Sequence, residues 1–188
     1  TTQVAASTPT GSVASAITTI TPARALDTRF TIGLTGRIGA NHPVYLNLVG
    51  TIPTSVNDSP VNQEIVPTGA TGVVLNVTAV NPNSFGFISI RPGTETTEPS
   101  TSNLNVTTGQ TVPNNVIVAL PTTGTAAGQI SIWYGSDTNT RTTDLIIDIV
   151  GYTTQTTGGP QGPAGPTGPA GADGPAGADG QAGARGPR

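Results

Sequence analysis

The chain has no cysteine, no lysine and few charges of any kind. Without cysteine, neither disulfides nor thiolate chemistry contribute to it. Charged residues make up 9% of its 188 residues, against about 25% in an average soluble protein. All seven basic residues are arginine and they do not cluster, whereas nucleic-acid binding needs a basic patch that neutralises phosphates. No apolar run approaches the roughly 18 residues that mark a membrane span. Aromatic residues are scarce, at 4%. Thr, Ser, Asn and Gln take the polar role instead. A surface of hydroxyls and amides repels its neighbours weakly, which suits close packing of subunits; a Thr-rich secreted domain has the same look.

What is present is strongest at the end of the chain. Glycine recurs at every third position from 159 to 186: Gly159, Gly162, Gly165, Gly168, Gly171, Gly174, Gly177, Gly180, Gly183 and Gly186. In a collagen triple helix every third residue faces an axis so crowded that only glycine fits. Pro160, Pro163, Pro166, Pro169, Pro175 and Pro187 fill the first variable position and preset polyproline II torsions. A flexible linker needs no strict period. Residues 159–188 therefore read as a triple-helical stalk of roughly 90 Å, at ~3.1 Å per residue. No proline occupies the second variable position, where animal collagens carry hydroxyproline, so the stalk points to a prokaryotic or phage source. Asp173 and Asp179 precede Arg185 and Arg188 in the same triplet position; staggered chains pair such charges, for about 0–1 kcal/mol each. Ten triplets hold together better when a head gathers three chains and sets their register. The expectation is a homotrimer.

Residues 22–152 read as a β-rich head. Val73 to Val80 is β-branched and bounded by turn residues, and Phe85 to Arg91 follows after Asn81-Pro82-Asn83 as a hairpin partner. Val44 to Val49, Asn103 to Val106, Asn115 to Leu120, Gln129 to Tyr134 and Leu145 to Val150 continue the series. No segment sustains a helical period, so the head is expected to be a β-sandwich of jelly-roll-like type. Residues 1–21 form a Thr/Ala/Ser-rich arm that an assembly orders by strand addition, and residues 153–158 link head to stalk. Residues 1–20 have neither the basic start nor the apolar core of a signal peptide. Either a leader was removed ahead of Thr1 or the protein leaves its cell inside a virion.

Arg24-Ala25-Leu26-Asp27-Thr28-Arg29, Val74-Leu75-Asn76-Val77-Thr78, Gly86-Phe87, Pro99 to Asn105, Asn114 and Asp144 to Tyr152 together resemble a β-domain of secreted actinobacterial and related bacterial proteins. That domain is similar to parts of some phage fibre and decoration proteins. The resemblance spans about 22–152 and implies an all-β head; it carries no catalytic residue. A head joined to a collagen tract is also similar to the trimeric spore-surface collagen-like proteins, although there the head follows the collagen.

Candidate chemistry is thin. His42 is the only histidine; no G-x-S-x-G elbow accompanies it, and beside Pro43 it reads as a turn residue. Asp27, Arg29 and Asp148 are candidates for a structural ion pair that fixes a strand end or a subunit contact, because a buried charge needs such partners. Asp144 and Asp148 share a strand face, but a calcium site needs six to eight oxygen ligands, so no metal is expected. Phe85, Phe87, Trp133 and Tyr134 either line a glycan site or pack in the core. The Asn57, Asn76 and Asn105 acceptor patterns read as accidental. No catalytic residue and no cofactor are expected. The reading is a structural subunit of an extracellular fibre, at a cell or virion surface, that joins head to tail. The alternatives are a phage fibre or capsid decoration protein, and a glycan-binding adhesin. Its partners would be copies of itself and a virion or cell-surface anchor, with no nucleic acid and no membrane span.

Overall fold

The computed structural model describes residues 15–56, 59–155 and 186. The stalk glycines other than Gly186, and residues 1–14, lie outside the described residues. Among the described residues the fold is all-β, with no helix. The strands are β1 (Ser15–Asp27), β2 (Ile38–Gly39), β3 (Pro43–Asn47), β4 (Thr51–Val56), β5 (Ser59–Glu64), β6 (Gly72–Val80), β7 (Gly86–Pro92), β8 (Leu104–Val106), β9 (Thr111–Ala119), β10 (Gln129–Ser136) and β11 (Thr142–Gln155).

They form two antiparallel sheets packed as a sandwich. The larger runs β5-β4-β1-β11-β6-β9, with β2 on the far end of β11; the smaller runs β3-β10-β7-β8. The alternation along each strand explains the layering. In β6, Val73, Leu75, Val77 and Ala79 are buried, while Val74, Asn76, Thr78 and Val80 face outward and are half-buried. Leu145, Ile147 and Ile149 of β11 join them, opposite Ile88 and Ile90 of β7 and Ile130, Ile132 and Tyr134 of β10. Each fully buried aliphatic side chain contributes about 1.5–3 kcal/mol of transfer free energy. The Tyr134 hydroxyl donates to the Ser84 carbonyl at 3.1 Å, so the one fully buried phenol leaves no unpaired donor.

Three findings differ from the sequence expectations. The segment 73–80 and the segment 85–91 do not form a hairpin: β6 lies in the large sheet and β7 in the small one. Both edges of β6 are already occupied, by β11 and β9. The connection crosses between the sheets, with Asn81 at φ +47° and the Asn83 amide donating to the Thr142 carbonyl. Strand β1 begins at Ser15, inside the segment read as an arm, and pairs with β11 of its own chain, Ser15 opposite Gln155 and Thr19 opposite Gly151. Strand β11 accordingly runs to Gln155, into the segment read as a linker. The β-branched Ile17-Thr18-Thr19-Ile20 and Thr153-Thr154 suit this two-stranded extension.

Candidate functional site

The densest polar constellation sits where β1 ends against β11. Arg24 and Asp148 lie directly opposite each other in the strand register. Arg24 Nε donates to Asp148 Oδ1 at 2.9 Å, and its Nη1 donates to Asp27 Oδ2 at 3.3 Å. Asp27 is fully buried. Its Oδ1 accepts from the Arg29 backbone N–H at 3.1 Å and from Arg29 Nε at 2.9 Å; its Oδ2 accepts from Arg29 Nη2 at 2.7 Å. The Arg29 guanidinium thus grips the carboxylate as a two-pronged fork.

The chain then turns tightly. The Asp27 carbonyl accepts from the amides of Phe30 and Ile32, and the Asp27 amide donates to the Ile32 carbonyl. Gly33 follows at φ +77°, with its Cα so near the Ala25 carbonyl that an added Cβ would stand 2.4 Å from that oxygen. Only glycine suits both demands. A second pair of residues locks the loop onto β11. Thr28 Oγ1 donates to Asp144 Oδ1 at 2.9 Å and accepts from the Leu145 amide at 3.0 Å. Arg37 bonds the other Asp144 oxygen and, through Nε, Thr142 Oγ1 at 3.0 Å.

The electrostatics follow from this geometry. Burial pushes the Asp27 carboxyl upward, but the hydrogen bonds and charge of Arg29, with the charge of Arg24, outweigh it and leave Asp27 below its ordinary value. Arg24 is raised, chiefly by its hydrogen bond to Asp148, and Arg29 by its hydrogen bond to Asp27. Asp27 accepts four hydrogen bonds, about the full capacity of a carboxylate. No lone pair is left to take a substrate proton, so the arrangement fixes a loop and does not suit acid–base chemistry. A cleft of about 350 Å³ beside it is lined by Arg24, Asp27, Phe30, Ile32, Ser55 and Pro60.

Of the sequence candidates, the structure brings Asp27 and Arg29 into direct contact and joins Asp148 to them through Arg24. Arg24 and Arg37 were missed as members. The signal for Arg24 was present, because it opens the same six-residue motif as Asp27 and Arg29; for Arg37 no local pattern exists, since its side-chain partners Thr142 and Asp144 are more than a hundred residues away. His42 is exposed, with Nδ1 2.9 Å from the Ala40 carbonyl oxygen and its ring lying against Gly39.

The four aromatic candidates separate. Trp133 is 6% exposed and Tyr134 is buried in the core, so of the two alternatives these residues take packing and not a glycan site. Strand β10 is one of two inner strands of the small sheet, between β3 and β7. Phe85 is 61% exposed. With Phe87, Glu98, Ser136 and Asp137 it lines a cleft of about 420 Å³. Phe87 lies over Gly135, where an added Cβ would stand 2.2 Å from the ring. Asp137, at the rim, is lowered to about 2, first by the hydrogen bond from Arg141. Among the described residues no group of three or more His, Cys, Asp or Glu is placed to hold a metal ion, and no helix is long and apolar enough to cross a membrane. No protein-family model matches the chain, and no curated protein and no solved structure does so either.

Proposed function

We propose that the protein is a structural subunit of an extracellular fibre: a β-sandwich head that trimerises and continues into a collagen-like triple helix. One observation carries the reading. Ten uninterrupted Gly-X-Y triplets begin at Gly159, only four residues after the last strand of the sandwich ends at Gln155. A single Gly-X-Y chain buries nothing and is stable only with two others. The ion-pair knot supports the same reading, because its one buried carboxylate is saturated by the chain's own arginines. Copies join head to tail, at a cell or virion surface.

Negative-stain electron microscopy of the full chain tests this. Periodic filaments are expected. Discrete heads on rods of about 90 Å would move the reading to a virion fibre or decoration protein that needs an anchor. Heads without rods would contradict the triple helix. A second reading, a glycan-binding head, is favoured by the exposed Phe85 and its half-buried neighbour Phe87 beside two carboxylates. Phe85→Ala should then abolish glycan-array binding without loss of fold; Trp133→Ala is unsuitable as a probe because its ring is buried beside Arg91 and not open to a ligand.

A further inference from the structure

The outer face of the large sheet is divided. One end carries Arg24, Asp148, Arg37 and Asp144. The other end, where β11 leaves for the Gly-X-Y tract, carries no charge on β1, β11, β6 or β9. Strand β1 has none before Arg24, β11 none after Asp148, and β6 and β9 none at all. The register places Ile17 opposite Thr153, Thr19 opposite Gly151, Gly151 opposite Val74, and Val74 opposite Ile117. Directly opposed residues share a face, so Ile17, Thr19, Val74, Ile117 and Thr153 form one patch. It is rimmed by two large aliphatics in the open: Ile17 is 57% exposed and Ile117 70% exposed. Beneath them Gly72 and Gly151 keep the surface flat.

The occupant follows from the chain's own path. Between Gln155 and Gly159 there are four Cα steps, at most about 14 Å. If three tracts meet at one axis, each β11 end lies within that reach of it. Strand β9 is two strands from β11, about 10 Å away at ordinary strand spacing. The uncharged patch is therefore the part of the head nearest to where three copies converge. It is also a surface on which identical copies meet without opposing like charges.

We propose that this patch, built on the stalk-side ends of β1, β11, β6 and β9, is the interface between heads, and that its occupant is a second copy of this chain related by a threefold axis. The contact is heterologous: the Ile117 side of one head meets the Ile17 side of the next, and three such contacts close the ring. The inference rests on the trimeric reading above.

The absence of cysteine makes the test clean. Ile117→Cys and Phe85→Cys are introduced singly into the full chain, the mass of each is measured by sedimentation, and each is reacted with a maleimide. In one head both positions are open to similar degrees, so a free head would label them at similar rates. The expected result is a trimer in which Ile117→Cys reacts at least tenfold more slowly than Phe85→Cys. Similar rates in a trimer would overturn the interface and leave the trimer standing. Slow labelling in a monomer would assign the patch to another occupant, such as residues 1–14, and overturn it too. A monomer with similar rates would contradict both the interface and the trimer.

Discussion

Asp27 shows how one side chain organises the end of the head. Its carboxylate is out of water, and two arginines that are themselves about one-third exposed supply the compensating charge. Removing a partner is costlier than the pair's net worth, because it strands a buried charge. Arg29→Ala leaves Asp27 with Arg24 at 3.3 Å as its one charged partner, beside the residue-29 backbone N–H, and should destabilise the head by about 3 kcal/mol at neutral pH. Asp27→Asn leaves uncompensated only arginines that reach water, one of them still paired with Asp148, and should cost less, about 1–3 kcal/mol. The pH dependence separates the two states. Because the Asp27 carboxyl is depressed in the fold, its contribution is fully present above its unfolded value, near 4, and is lost as pH falls through the folded value. Without the Arg29 side chain its hydrogen bond and charge no longer lower the carboxyl. The deficit of Arg29→Ala should therefore be largest near pH 7 and narrow below about pH 4, as read by denaturant melts across pH. A deficit that stays constant with pH would contradict the charge argument.

At the scale of elements, the strands with clean alternation were legible: Val73 to Val80, Leu145 to Val150 and Gln129 to Tyr134 all lie within strands. Strands β4 and β5 were not. They sit at the open side of the large sheet and carry Pro53 and Pro60; β5 buries little, and of the buried pair in β4, Ile52 and Thr54, only one is apolar, so they lack the apolar period that reveals a strand. The hairpin expected of β6 and β7 failed for a different reason: pairing depends on which edges are free, and nothing local in residues 73–91 reports that β9 and β11 flank β6. The ion-pair candidates Asp27 and Arg29 were legible because they are two apart in one motif, whereas Arg37 reaches Asp144 across the fold. The stalk has the most explicit pattern of all. Gly171→Ala should place a methyl group at the crowded axis and lower the melting midpoint of the triple-helical circular dichroism band. The near-ultraviolet signal of Trp133 in the head should not change. An unchanged midpoint would mean that the tract is not wound around an axis.

For the whole molecule, the head and the tract divide the work. The sandwich provides a stable platform that closes its own core, and each of the five arginines among the described head residues is paired with a carboxylate of its own chain. Little charge is left to recruit a partner, and on the proposed reading association falls to the uncharged patch and to the Gly-X-Y period. Gathering three tracts on one platform raises their local concentration and sets their register without any new contact in the tract itself. The central claim is the threefold association. The direct measurement is sedimentation equilibrium of the full chain at neutral pH. The account predicts about 56 kDa, three times the 18.7 kDa of one chain, or whole multiples of that trimer if heads and stalks join end to end. A mass of 18.7 kDa across the micromolar range would contradict it.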